Sequence, residues 1–215
     1  MLDGLLWIAK MFESYDWCYC VTFARGLDKP EMLRRFGADP SQAVLLPFQD
    51  ERLWETFGTS GDSDGRRVDL EDISPFVQVG YCDGWAFAIE SVSAEGTRPE
   101  VLRAVSVGTV VVSVCYVGAK ALALFSYAED GVLVAQFDPL VDLPYGDDPS
   151  GVLPYGDDPM RLLPVIRQVD IEREDYVETM FELAEKIGVH LPREVVAETL
   201  LLSAGVVPLL PPSPE

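Results

Sequence analysis

Residues 76–91 read FVQVGYCDGWAFAIES, two apolar runs on either side of Asp83-Gly84. An Asp-Gly pair suits a two-residue type I′ hairpin, because both central positions need positive φ. The spacing predicts strands over 76–82 and 85–91. Downstream, 109–117, 120–128 and 132–138 are joined by Gly118-Ala119 and Glu129-Asp130-Gly131, which reads as a three-strand meander. Upstream, 17–23 is WCYCVTF, aromatic and β-branched, and it runs into Arg25-Gly26, where glycine offers a turn. Together these segments predict an α+β fold. Its mostly antiparallel sheet, a meander with hairpins, should have five to six strands, with helices from both ends of the chain covering one face.

The helices carry their own signals. Leu5, Ile8, Phe12 and Tyr15 recur at helical spacing after Asp3, so 3–15 reads as an amphipathic helix. Asp28-Lys29-Pro30-Glu31 combines an N-cap acid, a first-turn proline and an acid placed for a capping box, opening a helix to Phe36 that Gly37 stops. Thr97-Arg98-Pro99-Glu100 repeats that logic for a helix through Val105, closed by Gly108. Val177, Met180, Phe181, Ala184 and Ile187 form an apolar stripe ended by Gly188, and a last helix is expected from Pro192 to about Ser203.

With 215 residues, 48% of them hydrophobic, one domain over 1–207 is the natural expectation. Residues 58–67, GTSGDSDGRR, offer nothing to bury and are expected as a mobile surface loop; 143–159 form a duplicated loop. The tail 208–215, PLLPPSPE, should be extended and polyproline-like. The apolar stretch 109–125 is interrupted by Ser113, Gly118 and Lys120 and has the composition of two strands, so no membrane association is expected. The first residues lack a basic stretch and place Asp3 and Glu13 where a signal peptide would be apolar, which points to the cytoplasm.

Thirty-six acidic residues against 16 basic ones give a net charge of -20, which repels nucleic acid and anionic lipid and favours a basic or neutral protein partner. The set WCYCVTFARGLDKPEMLRRFGA, GTRPEVLRAVSVGTVVVSV, FSYAEDGVLVAQFDPL and YGDDPMRLLPVIRQV resembles an uncharacterised family of actinobacterial domain-of-unknown-function proteins. That resemblance covers most of the chain and implies a single α/β domain with no assigned activity. It also implies one unit of Tyr or Trp followed by Gly-x-Asp-Pro, leading into a helix. Here LPYGDDP occurs twice, at 143–149 and 153–159, and only the second copy is joined to Arg161-Leu162-Leu163. The first therefore reads as an insertion in a loop that tolerates length, with Asp158 capping and Pro159 opening the helix.

Candidate chemistry is sparse. Asp147, Asp148, Asp157 and Asp158 lack the alternating ligands, central glycine and terminal glutamate of a calcium loop. His190 has no serine or cysteine motif beside it, and a single histidine excludes a histidine-built zinc site. Cys18 and Cys20 should share a strand face, and Cys82 and Cys115 are candidates for sheet neighbours, but none sits in a C-x₂-C knuckle, so buried thiols are expected. The usual nucleotide, hydrolase and metalloprotease motifs are missing, and no cofactor is expected. An acid–base pair such as Asp83 and Glu90 would need geometry to support it. The expectation is a non-catalytic protein-binding module, an inhibitor or immunity-type antagonist that acts by occlusion. Tyr81, Asp83 and Trp85 at the hairpin, with Asp147 and Asp148 in the repeat, are its candidate contacts. The alternatives are an enzyme with a carboxylate- or cysteine-centred pocket and an acidic nucleic-acid mimic.

Overall fold

The computed structural model describes residues 4–12, 18–57, 75–118, 122–142, 155–169 and 176–207. Its strands are β1 (Cys18–Arg25), β2 (Val44–Leu46), β3 (Phe76–Cys82), β4 (Trp85–Glu90), β5 (Val110–Val117), β6 (Leu122–Glu129), β7 (Val132–Phe137) and β8 (Leu201–Gly205). They form one antiparallel sheet in the order β2-β8-β3-β4-β1-β5-β6-β7. The α+β class holds, but among the described residues the sheet has eight strands rather than five to six.

The additional strands are β2 and β8. β2 has three residues, too few to show a period. β8 overlaps the end of the helix expected from Pro192 to about Ser203, where the chain instead makes a short helix, Arg193–Glu198, and turns extended at Thr199. LLSAG then becomes a strand because both neighbours offer partners: Ser203 pairs Val44 of β2 and Gln78 of β3. Tertiary pairing overrides the local preference of this segment.

The sheet is covered on both faces, not one. On β4, Trp85, Phe87 and Ile89 face one layer and Ala86 and Ala88 the other, and all are buried. Large side chains alternate with small ones rather than with polar ones, so both sides need cover. On the large-residue face lie α1 (Trp7–Phe12), α7 (Tyr176–Lys186) and Val196 of α8 (Arg193–Glu198), so helices from both chain ends do meet there. Tyr19 stacks between Phe12 of α1 and Phe181 of α7, at 4.9 and 6.4 Å between ring centroids. Burying an aromatic or aliphatic side chain of this size contributes roughly 1.5–3 kcal/mol.

On the opposite face α2 (Lys29–Arg35) and α4 (Pro99–Ser106) pack over the alanines and valines through Met32, Leu33, Val101, Leu102 and Val105. A smaller cluster joins Leu53 of α3 (Arg52–Phe57) to Leu46 and Phe76 near the β2 edge. α2 follows its sequence signals: the Asp28 carboxylate accepts from the Glu31 amide at 2.7 Å, and Gly37 takes φ 89° in a Schellman turn in which Ala38 N donates to the Leu33 carbonyl. The expected capping box does not form, because Glu31 instead pairs with Arg34 and Arg35. At α4 the expected Thr97 cap is likewise replaced: Thr97 Oγ1 donates to the Ala94 carbonyl, closing a 3₁₀ turn ahead of the helix.

After β7 the chain makes a single turn, α5 (Pro139–Asp142), and the β7 edge is covered by the second repeat copy. Tyr155 makes an antiparallel bridge to Gln136, and a 3₁₀ turn, Pro159–Leu162, leads into α6 (Leu163–Ile166). Pro159 opens that turn as expected, but Asp158 makes no side-chain cap bond; the neighbouring Asp157 reaches Arg103 at 2.9 Å. The 58–67 loop, the first repeat copy and the 208–215 tail lie outside the described residues.

Candidate functional site

Antiparallel register brings both Asp-Gly turns to one end of the sheet. Arg25 at the end of β1 lies opposite Trp85 at the start of β4, Val110 opposite Glu129, and Glu129 opposite Val132. Asp83 and Gly84 take φ 46° and 86°, and Asp130 and Gly131 take 49° and 79°, the type I′ signature in each hairpin. Such turns hold their aspartates in fixed, exposed positions. Asp130 is held further, since its carboxylate accepts from Gly108 N and its own amide donates to the Thr109 carbonyl.

Between the turns lies an open cleft of about 520 Å³ lined by Arg25, Gly108, Thr109, Val110, Glu129 and Asp130. The Arg25 guanidinium stacks 4.8 Å above the Trp85 ring and donates to the Ile187 carbonyl at 3.2 Å, while Trp85 Nε1 donates to the Gly188 carbonyl at 3.0 Å. A cation and an indole N–H thus satisfy carbonyls at the C-terminal end of α7, where the helix dipole favours positive charge. On the other wall, Glu129 accepts from Arg161 at 2.5 Å and from the Tyr127 hydroxyl at 3.2 Å. Burial, and then the Glu129 charge, push the Tyr127 hydroxyl above its ordinary range. Apolar side chains are exposed around this end: Tyr81 at 50%, Val107 at 55% and Val132 at 40%.

Of the residues singled out from the sequence, Tyr81 and Asp83 are exposed at this end. Trp85 is not available to a partner: it is buried, with its polar edge already bonded to Gly188. Proximity to a turn does not expose a side chain that points into the layer under α7. Asp147 and Asp148 lie outside the described residues. His190 is exposed between α7 and α8. Arg25, Thr109 and Asp130 escaped notice because their turns read only as punctuation; the second Asp-Gly pair was the signal that could have found them.

The other candidates separate. Asp83 and Glu90 stand at opposite ends of β4, about 20 Å apart at strand rise, too far for an acid–base pair. Cys20 and Cys115 are register partners on β1 and β5 and are buried thiols rather than a disulfide, whereas Cys82 sits on β3, with β4 and β1 between it and Cys115. No cluster of three or more metal-ligating side chains occurs among the described residues, nor is any helix there long and apolar enough to cross a membrane.

Beneath α4 lies a polar row that the apolar character of the strands concealed. Thr22, Ser113, Ser126 and Gln136 are successive partners across β1, β5, β6 and β7; Thr22 Oγ1 donates to Ser113 Oγ at 3.1 Å, and Gln136 Nε2 to Ser126 Oγ at 2.9 Å and to the Thr97 carbonyl at 2.7 Å. Glu90, beside Cys20, is fully buried and accepts from Ser93 Oγ at 2.7 Å and from the Glu95 and Gly96 amides, each at 2.8 Å. Burial raises its pKa to about 7 against the pull of these donors. All three come from the turn before α4, so the carboxylate ties that turn to the sheet.

A family model matches residues 2–209. The chain belongs to DUF6461, a family of unknown function. No curated protein and no solved structure matches it. DUF6461 membership fits the fold's continuity from Leu5 just ahead of α1 to Val206 beyond β8, both in the core.

Proposed function

We propose that this chain is a non-catalytic protein-binding module that presents the Asp-Gly end of its sheet to a basic or neutral protein, acting by occlusion in the manner of an inhibitor or immunity protein. The observation that carries the reading is that two exposed turn aspartates, Asp83 and Asp130, and exposed Tyr81, Val107 and Val132 all lie at the same end of the sheet. Apolar anchors supply off-rate and surrounding charge supplies on-rate and selectivity. Thiols rather than disulfides at Cys20, Cys82 and Cys115 suit a reducing, cytoplasmic setting.

The enzyme alternative draws on Glu90 and Cys20, both fully buried, with the Glu90 carboxylate occupied by three donors. Such a group anchors structure rather than meeting substrate. The nucleic-acid mimic needs carboxylates in regular rows; Asp83 and Asp130 instead stand at separate turns. A pull-down with the full chain and with a Tyr81→Ala/Val107→Ser variant tests the proposal. A protein retained by the wild type should be lost from the variant at unchanged melting temperature; equal retention by both places the contact elsewhere.

A further inference from the structure

β1 is paired on both sides, and the phase of its hydrogen bonds decides which side chains meet across it. Gly26 N donates to the Gly84 carbonyl at 2.7 Å, one step beyond the Arg25–Trp85 pair. Bonded and non-bonded pairs alternate along an antiparallel ladder, so Ala24, Thr22 and Cys20 turn their backbone groups toward β4. Toward β5 the same residues stand in non-hydrogen-bonded pairs, the closer kind, with Cα atoms about 4.5 Å apart. Thr22 and Ser113 form one such pair, and their hydroxyls meet at 3.1 Å. Cys20 and Cys115 form the next one on the same face, two residues along each strand. Cys20 Sγ leans toward β5, reaching Ser113 Oγ at 3.3 Å.

We infer that Cys20 and Cys115 are a reversible oxidation site: hydrogen peroxide closes the two thiols to a cross-strand disulfide, and a thiol reductant reopens it. A disulfide needs Cα atoms about 4.4–6.8 Å apart, which a non-hydrogen-bonded pair supplies without moving either strand. In the first step one sulfur attacks a peroxide oxygen, the O–O bond breaks, and the thiol proton leaves with the second oxygen as water. In the second step the other thiol attacks the sulfenic sulfur, the S–O bond breaks, and a second water leaves. The two sulfurs have then given two electrons to the peroxide.

A turn rather than a helix covers the pair. Residues 95–97 pack on β1 and β5, and a Cβ on Gly96 would stand 3.1 Å from Cys20 Sγ. Three hydrogen bonds to the Glu90 carboxylate, from Ser93, Glu95 and Gly96, hold that turn to the sheet. A short segment of this kind opens ahead of global unfolding, and an oxidant little larger than water needs no wider passage. Cys82 takes no part, because β4 lies between β3 and β1. The site stands at the other end of β1 from Arg25 and does not depend on a partner at the Asp-Gly end.

The test treats the folded full chain with hydrogen peroxide, blocks the remaining thiols in denaturant and maps peptides without reduction. The wild type should lose two hydrogens in mass, join Cys20 to Cys115, and regain both thiols in dithiothreitol. Cys18 and Cys20 share a tryptic peptide, so single variants resolve them: Cys18→Ser should keep the cross-link and Cys20→Ser should lose it. A cross-link to Cys18 or Cys82, or sulfinic acid at Cys20 or Cys115 without any cross-link, overturns the inference. So does a folded chain that keeps both thiols in peroxide that cross-links it in urea.

Discussion

At Glu90 the sheet buries a carboxylate behind three donors, and the consequence is a stability that depends on pH in an unusual direction. An acid whose pKa is higher folded than unfolded binds its proton more tightly in the folded chain, so protonation favours folding. The group's contribution is therefore greatest below pH 4.5, declines as pH rises toward the folded value of about 7, and is level above it. The span amounts to roughly 3 kcal/mol. Urea unfolding of the wild type and of Glu90→Gln across that range isolates the effect, since the remaining acids are common to both. The wild-type advantage should shrink from pH 4.5 to 7; a difference that is flat across the window removes Glu90 as the titrating group. Glutamine also turns an N–H toward the Glu95 or Gly96 amide, so the variant should be the less stable protein at acid pH.

For the hairpins, the turn backbone can be tested apart from packing. A Cβ on Gly84 meets nothing within 4 Å and one on Gly131 only Val107 at ordinary contact, so alanine at either site costs what the positive φ costs, about 1–2 kcal/mol in chemical denaturation. A loss near zero would mean that the turn relaxes to another type. The duplicated loop makes the opposite prediction. Deleting 143–152 leaves in place the copy that covers the β7 edge, with Leu162 still following it, so the melting temperature should shift by less than about 3 °C; a loss of about 8 °C or more would show that the first copy is packed. The elements legible in the sequence were those whose signal is local: β3 begins and ends where FVQVGYC does, and β4, β5 and β7 differ by about a residue at one end. β2 and β8 were not, because neither VLL nor LLSAG carries a β period, and each is a strand only through the other and β3.

Strand order is a property of the whole molecule, and it decided most of what the sequence could not say about the candidate site. The meander β5–β6–β7 pairs neighbours in the chain, but β1 enters between β4 and β5, and β8 between β2 and β3. That order separates Cys82 from Cys115, brings Arg25 against Trp85, and sets α7's C-terminal end over an indole that the sequence left at the surface. The exposure of Asp83 was readable because a type I′ turn exposes its tip whatever lies beneath; Tyr81 is exposed from within β3, beside buried Cys82.

The same scale governs the role of charge. A net charge of -20 spread over the surface acts through its field on any approaching basic protein, while the Asp-Gly end is the proposed contact. Field and contact respond differently to salt. Raising salt from about 0.02 M to about 0.5 M shortens the Debye length from roughly 20 Å to roughly 4 Å, which removes steering before encounter but would not weaken apolar contacts made through the proposed anchors Tyr81, Val107 and Val132, exposed in the free chain. Stopped-flow or surface-plasmon measurement with the protein that Tyr81→Ala/Val107→Ser fails to retain should therefore show an on-rate falling about tenfold or more and an off-rate changing less than about twofold. An Asp83→Asn/Asp130→Asn variant should flatten the salt dependence of the on-rate, because the two acids nearest the contact weigh most in the local field. An on-rate indifferent to salt would leave the acidic surface a role in solubility alone and would move the search for function to the Arg25–Glu129 cleft and small ligands.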